Sequence, residues 1–150
     1  MRARIGEARA AGDVDRLIQA VPYARFLGLT AAIVDGRVVV TMRYGDHLIG
    51  NPTLPALHGG TLGALLESAA IFELLWSSET IVVPKTVTIT VDYLRSGRPV
   101  DTYASGVVTR QGRRVANVLV DAWQEDPAQP IATAHAHFLI KRDEPDGDRG

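Results

Sequence analysis

The chain has 150 residues, no cysteine, a formal net charge of −1, and 46% hydrophobic against 22% charged residues. That balance excludes the disordered and fibrous classes, fits one domain that buries its core unaided, and rules out disulfides, thiolate metal sites and a cysteine nucleophile. Near-neutral charge leaves no footprint for nucleic acid. The basic residues are mostly arginine, and Arg95, Arg98, Arg110, Arg113 and Arg114 fall within one short stretch, enough for a local anion site. The opening Met-Arg-Ala-Arg-Ile-Gly-Glu has no signal-peptide core, and no apolar run reaches the ~20 residues that cross a bilayer. The expectation is a cytoplasmic protein without membrane contact.

In chain order, Asp13 is a candidate N-cap for a short helix through Gln19, and Pro22 starts a further turn ending near Gly28. Residues 1–29 therefore read as a helical lead-in. Thr30 to Val34 and Arg37 to Arg43 flank Asp35-Gly36, the strongest short hairpin signal present. Gly45 to Leu57, with Gly50, Pro52 and Pro55, has no periodicity and predicts an irregular approach to a helix. From Thr61 to Trp76 the polar residues are Thr61, Glu67, Ser68 and Glu73 alone, so the helix beginning at His58 must be wrapped by the rest of the domain. Four strand-like runs follow: Ile81 to Arg95, Val100 to Arg110, Arg113 to Gln124 and Ile131 to Ile140. Strict alternation puts Val87, Ile89, Val91 and Tyr93 on one face and Thr86, Thr88, Thr90 and Asp92 on the other. Residues 141–150 read as a flexible tail. Two strands, a helix and four strands give an α+β domain over 30–140, in which a curved antiparallel sheet of about six strands wraps one long central helix.

Glu67 is the chemical candidate. Burying an ionised carboxylate costs several kcal/mol, by rough estimate, unless it is paired or partly wet. Its helical neighbours Gly63, Ala64, Ala70 and Ile71 offer no partner but leave room for a ligand. Glu73, nearer the helix end, reads as a solvated terminus. At the helix start, the glycines of His58-Gly59-Gly60 let a ligand approach unpaired N–H groups and the positive end of the helix dipole, as an oxyanion hole requires. His58 is a loop histidine or a base. Asn51 either forms a turn before Pro52 or holds a water or substrate.

The run Gly50-Asn51-Pro52, Leu57-His58-Gly59-Gly60, Glu67, Thr86 to Leu94 and Gln-Gly-Arg-Arg resembles the hotdog-fold thioesterases of the phenylacetate-degradation type, from about Pro22 to Ile140. The resemblance implies a hotdog fold and hydrolysis of acyl-CoA to carboxylate and free CoA, with no cofactor beyond the coenzyme A of the substrate. It assigns carbonyl polarisation to Gly59 beside Gly60, the role of nucleophile or general base to Glu67, and water positioning to Thr86, with Asn51 assisting. Some relatives carry Asp at the position of Glu67, and others a hydroxyl where this chain has Ile71.

Gly59 and Glu67 are eight residues apart, hence ~12 Å along one helix. A base and an oxyanion donor must both lie within ~3 Å of the reacting group. One chain cannot supply both, so the spacing predicts a two-fold dimer with composite sites, as the resemblance also implies, or a tetramer built from it. Arg95, Arg98, Arg113 and Arg114 are candidates for the phosphates of CoA or are solvated strand-end charges. His135 and His137 share one strand face, where a surface or interface role outweighs metal binding. The rival functions are a hotdog acyl-thioester hydratase or dehydratase, which would need a catalytic histidine, and a noncatalytic acyl-CoA-binding module.

Overall fold

The structure, a computed structural model, describes residues 2–78 and 82–140. Three helices lead in: α1 (Arg2–Ala11), α2 (Asp15–Gln19) and α3 (Pro22–Phe26). Asp13 Oδ1 accepts the Arg16 N–H at 3.2 Å, as an N-cap does. The strands β1 (Leu29–Val34) and β2 (Arg37–Met42) meet at Asp35-Gly36, both at positive φ as the tight hairpin turn requires. The segment expected to be irregular instead holds a two-stranded ribbon, β3 (Ile49–Asn51) with β4 (Ala56–Leu57). The long helix α4 runs from Gly59 to Ser77, and β5 (Lys85–Tyr93), β6 (Thr102–Gln111), β7 (Val115–Trp123) and β8 (Ala132–Leu139) follow. The expected start of β5 at Ile81 and the tail 141–150 lie outside the described residues.

The six long strands form one antiparallel sheet in the order β1-β2-β6-β7-β8-β5. Its inner face is studded with buried alanines (Ala104, Ala116, Ala122, Ala132, Ala134 and Ala136), short enough to let α4 lie close against it. Leu62, Leu65, Leu66, Ala69 and Leu74 of α4 are buried there with Val38, Val40, Met42 and Phe138. Each large aliphatic side chain so removed from water contributes about 1.5–3 kcal/mol. The lead-in helices are anchored over α4 by Arg9 of α1, whose guanidinium donates to the Leu75 carbonyl near the helix C-terminus.

Glu73 is not a solvated helix end. It is 8% exposed and its Oε2 accepts the Val38 N–H at 3.0 Å. The registered pairing of β2 with β6 begins at Val39, so Val38 has no strand partner on that side and the carboxylate takes its place. Gly106 of β6 lies beside it, where a Cβ would be in ordinary contact with Glu73 at 3.6 Å but tight against Val118 at 3.1 Å. Burial pushes the Glu73 carboxyl above the usual carboxylate range, with the Val38 N–H and the Arg37 charge opposing.

Candidate active site

The start of α4 is held from three directions. The His58 N–H donates to the Leu48 carbonyl at 2.8 Å, and the Leu57 N–H to the Gly97 carbonyl at 2.9 Å. His58 is the N-cap: its Nδ1 accepts the Gly60 N–H at 2.9 Å, which it can do only when that nitrogen carries no proton. The Tyr93 hydroxyl, from the end of β5, donates to the Gly59 carbonyl at 2.8 Å. Both approaches come close to the glycines. A Cβ on Gly59 would stand 3.2 Å from the Tyr93 ring, and one on Gly60 2.9 Å from His58 Nδ1. The N–H groups of Gly60, Thr61 and Leu62 are all taken by His58, whereas that of Gly59 finds no acceptor among the described residues. A free donor at the positive end of a nineteen-residue helix is suited to a developing negative charge.

Glu67 lies two turns along the same helix, half-buried, with Gly63 and Ala64 also partly exposed beside it. Its Oε1 accepts the Thr86 hydroxyl at 2.6 Å. A bulge brings the two together. Thr86 pairs with Phe138 and Thr88 with His137, leaving Val87 as an extra residue in β5. Thr86 therefore faces inward with Ile89 and Val91, where strict alternation had placed it on the opposite face. Val87 is 62% exposed. Because α4 is continuous, Gly59 and Glu67 are ~12 Å apart along it.

Asn51 is exposed and its Oδ1 accepts the N–H groups of Thr53 and Leu54, the bonding of a turn-forming asparagine. The arginines separate into two groups. Arg95 donates to Gln129 at 2.7 Å, and Arg98 pairs with Glu125 at 2.6 Å, both near the start of α4. Arg113 and Arg114 sit at the β6–β7 turn, ten residues of β6 away, roughly 30 Å at the rise of a strand. His135 and His137 are exposed on the outer face, with His137 Nδ1 2.8 Å from the Thr88 hydroxyl. Among the described residues no three His, Cys, Asp or Glu side chains are grouped to hold a metal ion, and no helix is long and apolar enough to cross a membrane. Tyr93 carried no role of its own in the sequence reading. Only its seven-residue offset from Thr86 on one strand could have signalled that it serves the other end of the same helix.

Residues 54–131, just over half the chain and including Gly59, Glu67, Thr86 and Tyr93, match the sequence model of the thioesterase superfamily. The chain belongs to the thioesterase superfamily. It is a thioester hydrolase with the hotdog fold of that superfamily, a long helix packed on a six-stranded antiparallel sheet. A crystallised protein from Chromobacterium violaceum is 37% identical, with a TM-score of 0.77 over 95% of this chain and 99% of the other. A phenylacetic acid degradation-related protein from Ralstonia eutropha is 25% identical, with a TM-score of 0.72 over 85% of this chain and 98% of that one. The medium/long-chain acyl-CoA thioesterase YigI of Salmonella typhimurium is 28% identical over 135 residues, 80% of this chain and 86% of that protein.

Proposed function

We propose that this thioester hydrolase cleaves acyl-CoA to a carboxylate and free CoA at composite sites of a homodimer. One observation carries the reading: Thr86, bonded to Glu67, and Tyr93, bonded to Gly59, stand at opposite ends of β5, and β5 is an edge strand of the sheet. Among the described residues, this edge of nine residues without proline offers a free row of backbone donors and acceptors. If two copies pair through it antiparallel about a two-fold at Thr90, with bulged Val87 and Thr88 counting as one position, Thr86 of one lies opposite Tyr93 of the other. Glu67 of one subunit then meets Gly59 of its partner, which resolves the ~12 Å separation within a chain. The same two-fold brings Arg113 and Arg114 of one subunit to the end of the dimer that carries Arg95 and Arg98 of its partner, where the phosphates of CoA would lie. A tetramer would pack two such dimers.

The chemistry follows from the groups. The Gly59 N–H polarises the thioester carbonyl and receives the negative charge of the tetrahedral intermediate. Thr86 spends its proton on Glu67 Oε1, so Oε2 is open to take a proton from water, and the Thr86 oxygen can accept a hydrogen bond from that water. Water oxygen bonds to the carbonyl carbon, the C–S bond breaks, and the thiolate is protonated to free CoA. Direct attack by Glu67, with water cleaving the resulting anhydride, gives the same products. Neither route calls for a cofactor, and we place the enzyme in the cytoplasm. The medium/long-chain acyl-CoA specificity of the 28% identical relative supports coenzyme A as the thiol. Thiol release from acyl-CoA tests the reading; Glu67→Gln should lower kcat by roughly 10²-fold or more while the thermal midpoint holds. Unchanged turnover in a folded Glu67→Gln protein contradicts it.

A further inference from the structure

A cavity of about 170 Å³ lies between α4 and the lead-in helices. Its inner wall is α4, from Ser68 and Ile71 to Phe72. Its outer wall comes from the lead-in, with Ile5, Leu17, Val21 and Ala24. Ile5, Leu17, Ala24 and Phe72 are each at most 4% exposed, so the walls are set in the core. Among the described residues, Ser68 and Tyr23 supply the only hydroxyls in the lining, and no charged side chain enters it.

Position gives the cavity its meaning. Ser68 follows Glu67 directly, and Ile71 is one helical turn beyond Glu67 on the same face. Pro84, also in the lining, is two residues before Thr86, which holds the Glu67 carboxylate. The cavity therefore comes within one helical turn of the carboxylate on α4 and is bounded on its other side by the lead-in helices. A void of comparable size lined by apolar side chains stays dry and takes in a benzene-sized molecule of six carbons. This pocket opens to solvent beside Tyr23 and Val83, 57% and 41% exposed, and a hydrocarbon that displaces water from its apolar wall is favoured.

We infer that this cavity seats the apolar tail of the acyl group, a hydrocarbon of about six carbons, so that residues 5–24 set the chain-length preference of the enzyme. The inference rests on the acyl-CoA reading above. The outer wall lies wholly outside the segment that matches the superfamily model, so membership of the superfamily alone does not supply it.

The test is a series of acetyl-, butanoyl-, hexanoyl-, octanoyl-, dodecanoyl- and phenylacetyl-CoA on the wild type, Val21→Trp, which fills the cavity, and Ile71→Ala, which enlarges it. Val21 and Ile71 are partly exposed, and thermal midpoints establish that both variants fold. At roughly fourfold per buried methylene, kcat/KM should climb on the order of a hundredfold from butanoyl to octanoyl and then level off. Val21→Trp should cut the octanoyl or phenylacetyl value at least tenfold while acetyl stays within twofold, and the arm that falls further identifies an alkyl or an aryl tail. Ile71→Ala should move the plateau to longer chains. Binding of octanoyl-CoA against free CoA to the Glu67→Gln protein, with and without Val21→Trp, reads the seat without turnover. A flat chain-length profile in the wild type, or one that neither folded variant alters, overturns the inference while thiol release continues. Absence of thiol release from every thioester, with tail-dependent binding still abolished by Val21→Trp, overturns the hydrolase reading and leaves the seat standing.

Discussion

Glu67 and Glu73 are less than two turns apart on α4, and their surroundings give them different work. Glu67 has a hydroxyl partner and small, partly exposed neighbours. Glu73 is buried and bonded to a strand-end amide. Burial raises the folded pKa of Glu73, so the folded protein binds this proton more tightly than the unfolded chain does. Its contribution to stability is present below the ordinary carboxylate range and is lost as pH rises through the raised value. Glu73→Gln keeps an oxygen for the Val38 N–H and removes the charge, so its stability relative to wild type should improve as pH climbs through that window. Glu73→Ala should cost about 1–3 kcal/mol at low pH by stranding the buried Val38 N–H, and that cost should shrink as the wild type loses stability with rising pH. Denaturant unfolding of the three proteins between pH 4 and 8 checks both; a pH-independent gap between Gln and wild type would contradict the account. At this scale the sequence showed which carboxylate lacked a helical partner but not what either would meet. Thr86 entered by resemblance alone, since the alternation pointed it away from the helix. Glu73 looked solvated because no local pattern reveals that Val38 has no partner on the β6 side of β2.

The elements that define themselves locally were legible. Asp35-Gly36 needs only its own backbone to make a turn, and α4 announces itself as an apolar run too long for a strand. Others depend on distant contacts. In α1 only Ile5 and Ala8 are buried, a pattern too thin to read until α4 is beneath it. The ribbon of β3 and β4 packs Gly50 so close to His58 that a Cβ at Gly50 would lie 2.8 Å from the His58 Cα. The bulge at Val87 has no signature in an otherwise regular run, yet it decides which face of β5 meets Glu67. It also leaves Val87 exposed on the edge proposed to join two subunits. Val87→Lys should weaken that pairing, lowering activity in step with dimer content by sedimentation while the monomer fold is kept. An inactive Val87→Lys protein that remains fully dimeric would contradict edge pairing.

For the whole molecule, the arrangement divides labour between the segment that matches the superfamily and the helices before it. The sheet and α4 bring Gly59, Glu67, Thr86 and Tyr93 to one open edge, while the lead-in closes a cavity beside Glu67. The decisive claim is that a complete site needs two chains. Gly59→Pro deletes the donor N–H at the first position of a helix, where proline is tolerated, although the Tyr93 ring must yield by a few tenths of an ångström. Glu67→Gln deletes the base. Each variant alone should be nearly inactive. Equal mixtures allowed to exchange subunits should make half mixed dimers, each with one intact and one doubly altered site, and so recover about one quarter of wild-type thiol release. Recovery to that level is the predicted result, and no recovery in mixtures whose subunit exchange is verified by mass would contradict it.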